Sequence, residues 1–401
     1  MEHEVRAWPN RLQWLYVFVG SMVVNLTVAL LALELLCWIA LSGYNWIRPH
    51  HYQSEIDSPA YAGQAWVADF YREQSARVNS RKFYVPFRLW GVSAWHGKYL
   101  NVDVSADGAW RRSLNPTSDD CKNRPKASVW VFGGSTVFGT GVPDWATLPS
   151  YLATELNRRG NDCVEVTNFG VEGYVTTQEV ILLAEQLKRG QHPTTVIFYD
   201  GFNDAFAGMN SDDPRSAHYA YSTVKERIQG SVHGRFDFIG NLYSVRAAYA
   251  ILALFRRNHP LATMDNNAKA VATVDNYEAN LALVRALSGA YHFKLYCFWQ
   301  PMLLYGHKPL VPFERQVAEL DGRSGGRLNA QLIANAYVEA ENRSTDGTFV
   351  NLAGLFDSVP DPLYLDEAHL GPHGNELVAN AIAKYVQDHP AGMELQRSER
   401  K

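Results

Sequence analysis

The 401-residue chain is 47% hydrophobic and 19% charged, long and apolar enough to bury a large core, with a formal net charge of -4. It has no Lys/Arg run with interleaved aromatics, which argues against a nucleic-acid partner. Cys37, Cys121, Cys163 and Cys297 have no CxxC spacing and no accompanying His pair, which argues against a structural zinc site and a thioredoxin-like motif.

Residues 14–41 are almost wholly apolar, broken by Asn25, Thr27 and Glu34 and flanked by Trp14, Tyr16, Trp38, Tyr44 and Trp46. A bilayer span needs about 20 apolar residues, and aromatic flanks suit its two interfaces. Residues 1–44 therefore read as a single-pass membrane anchor. Ala40-Leu41-Ser42 has the look of a signal-peptide cleavage site, but the apolar run exceeds the usual ~7–15-residue core of such signals. Arg6 and Arg11 precede the span and Arg48 follows it, a small excess that puts the N-terminus inside and the rest of the chain outside the cytoplasm. Glu34 is costly at membrane depth. It sits at the interface if the span ends near Leu33.

Residues 45–126 are aromatic, polar and irregular, with short strands expected over 98–104 and 109–113, and read as a neck or extension packed on the main domain. A regular alternation follows. Strands are expected over 128–132, 164–169, 195–199, 294–299 and 349–352, and helices over 147–159, 177–189 and 374–387. Thr176 and Glu179 have capping-box spacing, and Gly190 stands where a helix C-cap belongs. Near-continuous apolar strands alternating with helices predict an α/β fold with a parallel sheet covered on both faces. The main domain spans 127–390, with insertions at about 205–266 and 302–348 and a polar tail over 391–401. Cys37 and Cys297 read as small core residues. Cys121 and Cys163 each precede a parallel strand, so neighbouring strands would allow a disulfide, in an oxidising compartment.

In such a sheet, functional groups gather at the carboxyl ends of the strands. Those ends carry Gly133-Gly134-Ser135-Thr136, then Asn168-Phe169-Gly170-Val171-Glu172-Gly173, then Asp200-Gly201-Phe202-Asn203-Asp204. The loop before the last helix carries Asp366-Glu367-Ala368-His369-Leu370. Each piece alone is weak; the combination is specific. A serine hydroxyl becomes a nucleophile when a base takes its proton, and His369 is the candidate base for Ser135. Asp366, three residues upstream, can hold that imidazole in one tautomer. The Ser135 and Gly173 backbone N–H groups and the Asn203 amide can serve as donors to an oxyanion. Trp299 and Gln300, ending the fourth strand, are candidates to line a substrate pocket. Asp200 and Asp204 read as turn-fixing residues, and His373 as part of a helix entrance.

With these residues in place the chain resembles the SGNH/GDSL hydrolase superfamily, through Ser135, Gly173, Asn203 and His369. The resemblance covers residues 128–387. It departs in the first block, where Gly-Gly-Ser-Thr replaces Gly-Asp-Ser-Leu. It implies a flavodoxin-like three-layer α/β/α sandwich with a five-stranded parallel sheet. It further implies a Ser135–His369–Asp366 triad, with Ser135, Gly173 and Asn203 as oxyanion hole, and no cofactor or metal. The expected activity is cleavage of an acyl or acetyl ester from a glycan, lipid or small ester through an acyl-serine. The alternatives are an O-acyltransferase that passes the acyl group to a polysaccharide, and a noncatalytic scaffold in envelope polysaccharide assembly.

Overall fold

The structure, a computed structural model, describes residues 10–47, 55–78, 83–105, 108–117, 119–229, 242–256, 264–323, 326–344 and 347–393. Arg6, Arg48, parts of the first insertion and most of the expected 391–401 tail lie outside them. The chain divides into two compact units, Met1–His51 with Val224–Leu261, and Tyr52–Thr223 with Ala262–Lys401.

The first unit holds helix α1 (Asn10–Ile47), whose stretch Gln13–Gly43 is long and apolar enough to cross a membrane. Numbering along the chain, it also holds α8 (Tyr243–Arg256).

The second unit opens with α2 (Val67–Val78) and a small hairpin of β1 (Phe83–Val85) and β2 (Leu89–Gly91). Its main sheet contains β3 (Trp95–His96), β4 (Asn101–Ser105), β5 (Gly108–Arg111), β6 (Lys126–Gly133), β7 (Cys163–Asn168), β8 (Thr195–Asp200), β9 (Lys294–Trp299) and β10 (Val350–Asn351). The strand order is β10-β9-β8-β6-β7-β5-β4-β3. The pairs from β10 to β7 are parallel, and β5, β4 and β3 add on antiparallel at the β7 edge. Counting the parallel strands in chain order gives 2-1-3-4-5, the flavodoxin-like arrangement. The two short strands expected in a neck are thus β4 and β5, an extension of the main sheet.

The helices of this unit are α3 (Ser135–Phe138), α4 (Leu148–Arg159), α5 (Thr176–Lys188), α6 (Phe202–Met209), α9 (Asn266–Tyr291), α10 (Pro312–Arg323), α11 (Gly326–Arg343) and α12 (Pro372–Asp388). Helix α7 (Tyr221–Gln229) lies within the first insertion. The strands alternate their buried faces with period two. Trp130, Phe132, Val196, Phe198, Leu295, Cys297 and Trp299 pack with α5, α9 and α11. Val129, Val131, Ile197, Tyr199, Tyr296 and Phe298 pack with α4 and α12. This is the expected three-layer sandwich. The aromatic rows are close: Phe132 stacks on Phe169 at 5.1 Å and on Phe198 at 5.2 Å.

Two local details differ from expectation. Helix α5 begins one residue early, with Val175 at its N-cap, whose N–H donates to Gln178 Oε1 at 3.3 Å. Glu179 is therefore free of capping and points into the core, fully buried. At α4, Thr147 is the cap, its hydroxyl accepting from the Ser150 N–H at 3.3 Å. Cys121 and Cys163 form a disulfide with Cα atoms 5.2 Å apart, Cys121 ahead of β6 and Cys163 opening the neighbouring parallel strand β7.

Candidate active site

The site lies at the carboxyl ends of the parallel strands. Strand β6 ends at Gly133 and the chain turns at once into α3, so Ser135 is the first residue of a helix and its backbone N–H has no partner within it. The turn is crowded. A Cβ on Gly134 would stand 2.2 Å from Asn203 Nδ2, so only glycine lets the loop after β8 approach this closely.

The structure brings Ser135, His369 and Asp366 into one line. Ser135 Oγ lies 2.7 Å from His369 Nε2, and His369 Nδ1 lies 2.6 Å from Asp366 Oδ2. The carboxylate partner assigns the ring proton to Nδ1, leaving Nε2 to accept from the serine hydroxyl when the imidazole is neutral. The other Asp366 oxygen accepts from the Ala368 N–H at 2.8 Å and the His369 N–H at 2.7 Å, so a local turn fixes the carboxylate before it meets the ring. Burial disfavours charge on both groups, but their mutual attraction outweighs it: His369 is pushed up to about 9 and Asp366 down to about 2.

Asn203 lies beside the nucleophile turn, and Gly173 stands one residue before its partner Tyr174. Asn203 Nδ2 donates to Tyr174 O at 2.7 Å, which aims the amide and leaves its second hydrogen for another acceptor. Gly173 has φ +79°, in the left-handed region that glycine adopts without strain. Around it stand aromatic rings: Trp90, whose Nε1 donates to Glu172 O at 3.0 Å, and Tyr219, stacked on Phe206 at 5.1 Å. Tyr219 is 57% exposed, its ring 3.8 Å from the point a Cβ on Gly173 would occupy.

Neither expected pocket residue lines an open pocket. Trp299 is fully buried, edge-on to Tyr277 at 5.0 Å and Tyr337 at 5.4 Å, because its position in β9 faces the α9 and α11 layer. Gln300 is 3% exposed, and its Oε1 accepts from Thr136 Oγ1 at 3.2 Å, placing it beneath the nucleophile turn. His373 is half exposed at the start of α12, 3.5 Å from Glu376. Asp200 and Asp204 do more than shape a turn. They are buried beside Glu179, and both Glu179 carboxylate oxygens and Asp200 Oδ2 are buried without a hydrogen-bond partner. Burial raises all three groups, Asp204 to about 6.

Several supporting groups carry no sequence signal. Arg111, from β5 and wholly buried, donates to Phe138 O at 2.8 Å, Gly139 O at 2.5 Å, Val142 O at 2.6 Å and Asp144 Oδ1 at 3.0 Å. It ties up the carbonyls that α3 leaves unsatisfied. Arg77 of α2 holds both oxygens of Glu172 at 2.8 Å and 2.7 Å, fixing the residue before Gly173. Tyr61 donates to Gly141 O at 2.6 Å and sits 2.9 Å from the Tyr71 hydroxyl.

No family model and no curated protein matches the chain. Solved structures similar to it include an alpha/beta hydrolase enzyme from the metagenome of Lake Arreo, 14% identical, with a TM-score of 0.34 and coverage of 66% of this chain and 96% of that one. An acetylxylan esterase from Geobacillus stearothermophilus is 15% identical, with a TM-score of 0.34 and coverage of 68% and 97%. A member of the lipolytic protein G-D-S-L family from Veillonella parvula is 10% identical, with a TM-score of 0.34 and coverage of 65% and 97%.

Proposed function

We propose that the protein is a membrane-anchored serine ester hydrolase of the SGNH type, acting on an acyl or acetyl ester through an acyl-serine. The observation that carries this reading is the continuous Ser135 Oγ, His369 Nε2, Nδ1, Asp366 Oδ2 relay at 2.7 Å and 2.6 Å, with the Asn203 amide packed against Gly134, next to the serine. His369 takes the Ser135 proton as Oγ attacks the ester carbonyl. The carbonyl oxygen becomes an oxyanion facing the Ser135 and Gly173 N–H groups and the second hydrogen of the Asn203 amide. His369 then gives its proton to the departing alkoxide, and Asp366 stabilises the imidazolium in between. In the second half the same imidazole deprotonates the acceptor. Water completes hydrolysis; a sugar hydroxyl in its place would complete an acyl transfer.

The exposed Tyr219 ring and the Trp90 edge supply a flat apolar wall beside Gly173, suited to a sugar ring or an apolar chain. The Cys121–Cys163 disulfide supports a site on the oxidising, extracytoplasmic side, as the arginine balance around α1 does. A fluorophosphonate probe tests the reading directly. It should label the wild type and leave Ser135→Ala unlabelled; a folded wild type that resists the probe turns the reading to a noncatalytic scaffold. Product analysis with and without a sugar acceptor then separates hydrolysis from transfer.

A further inference from the structure

Gly173 is the third residue of a β-turn. The Tyr174 N–H donates to Val171 O at 3.0 Å and closes the turn around Glu172 and Gly173. Gly173 has φ +79° while Glu172 keeps a negative φ, the combination of a type II turn. Type I and type II turns share their ends and differ in the peptide between the two central residues, which is flipped by roughly 150–180° from one to the other. Glycine at 173 admits both forms. That peptide is trans and planar, so its carbonyl and its N–H point in opposite directions. Whatever holds Glu172 O therefore decides where the Gly173 N–H is aimed.

The holder is Trp90, on the hairpin outside residues 128–387. Its Nε1–H donates to Glu172 O at 3.0 Å. The indole is fixed in turn: the Tyr174 hydroxyl donates to Trp90 O, and the Tyr174 ring stands edge-on to it at 5.7 Å. Arg88 Nη1 donates to the Tyr174 hydroxyl at 2.8 Å, and Gln178 Nε2 donates to Arg88 O at 2.8 Å. Phe87 and Leu89, on either side of Arg88, have φ +65° and +71°. Non-glycine residues keep such angles where surrounding contacts impose them. Arg77 and the Thr140 hydroxyl, at 3.3 Å, hold only the Glu172 side chain, which leaves the peptide plane free to turn.

We propose that Trp90 is a positioning residue: its indole N–H locks the Glu172–Gly173 peptide in the type II orientation and so aims the Gly173 N–H at the oxyanion. The proposal rests on the reading of that N–H as an oxyanion donor in a serine ester hydrolase. It makes the β1–β2 hairpin part of the catalytic apparatus.

The test uses the full chain in detergent with p-nitrophenyl acetate and p-nitrophenyl octanoate. Trp90→Phe keeps an aromatic ring beside Gly173 and removes the N–H. On both esters kcat should fall by about 10–100-fold, somewhat less than for outright loss of a donor, with KM held within about twofold. Affinity for a trifluoromethyl ketone, whose adduct with Ser135 carries an oxyanion, should fall by the same factor as kcat/KM. Benzothienylalanine at position 90 puts sulfur in place of the indole N–H at nearly unchanged shape, and should give the same losses even where Trp90→Phe unfolds. Wild-type kcat and ketone affinity in either folded variant overturn the proposal. So does a loss confined to KM that grows with acyl length, which would make Trp90 a wall of the substrate site only. A folded wild type that hydrolyses neither ester and resists a fluorophosphonate overturns the hydrolase reading, and this proposal with it.

Discussion

Asn203 Nδ2 stands 2.2 Å from the point a Cβ on Gly134 would occupy, so the loop after β8 and the turn after β6 are fitted to one another at the nucleophile. A methyl group at position 134 displaces the amide that faces the reaction centre. Gly134→Ala and Asn203→Ala should each lower turnover of a p-nitrophenyl ester by about 10²–10³, the usual effect of removing one oxyanion donor. Circular dichroism should stay that of the wild type. Full activity in Gly134→Ala would mean that Asn203 serves only to bind Tyr174 O.

The His369 and Asp366 pair sets the acid limb of the pH profile. His369 must be neutral to accept the serine proton, and the Asp366 carboxylate raises its pKa to about 9 against the pull of burial. A raised pKa means the base is lost earlier as pH falls, so kcat/KM should climb with pH through a midpoint above the ordinary imidazole value of ~6.5. In Asp366→Asn the support is gone and burial remains, so the midpoint should move down while the rate falls by about 10⁴ through loss of the correct tautomer. A wild-type midpoint below that of the variant would sink the account.

What could be read in the sequence was whatever depends on local pattern. The period of the strands, the glycines at their ends and the order of Ser135, Gly173, Asn203 and His369 all lie in short windows, and the sheet order follows from them. Trp299 was only a candidate for the pocket because a strand-end aromatic looks the same in sequence whether its face meets a pocket or a helix layer, and α9 and α11 bury it. Glu179 carried the spacing of a capping box yet turned inward, because α5 starts at Thr176 and Gln178 does the capping. Arg111 is invisible to pattern since its partners are backbone carbonyls more than 25 residues away in an irregular loop.

Arg111 itself gives a stability prediction. Its guanidinium serves three carbonyls of the segment after Ser135 and the Asp144 carboxylate, all inside the fold. Arg111→Met strands a buried carboxylate and should cost about 3–5 kcal/mol, the range for breaking one side of a buried ion pair. Arg111→Lys keeps the charge but lacks the planar fork that reaches four acceptors, and should recover only part of that loss. Thermal unfolding of the three proteins checks the order; a Lys variant as stable as the wild type would show that charge alone holds the loop.

The Glu179, Asp200 and Asp204 group predicts the opposite behaviour, a gain of stability on removing acid groups. Their folded-state pKa values are raised, Asp204 to about 6, by burial. Carboxyls raised on folding contribute stability that is complete below their unfolded values near 4 and is lost as pH rises through the folded ones. For Asp204 that window runs from about 4 to 6, and burial shifts Glu179 and Asp200 in the same direction. His369 acts in the same direction, so the wild type compared with itself across pH cannot separate them. Glu179→Gln keeps the shape and removes one buried ionisable group. It should match the wild type near pH 4.5 and exceed it at pH 8 by on the order of 1–3 kcal/mol, a few degrees in apparent Tm. Equal melting temperatures for the two proteins at pH 8 would mean that the group is already hydrated or ionised in the folded state.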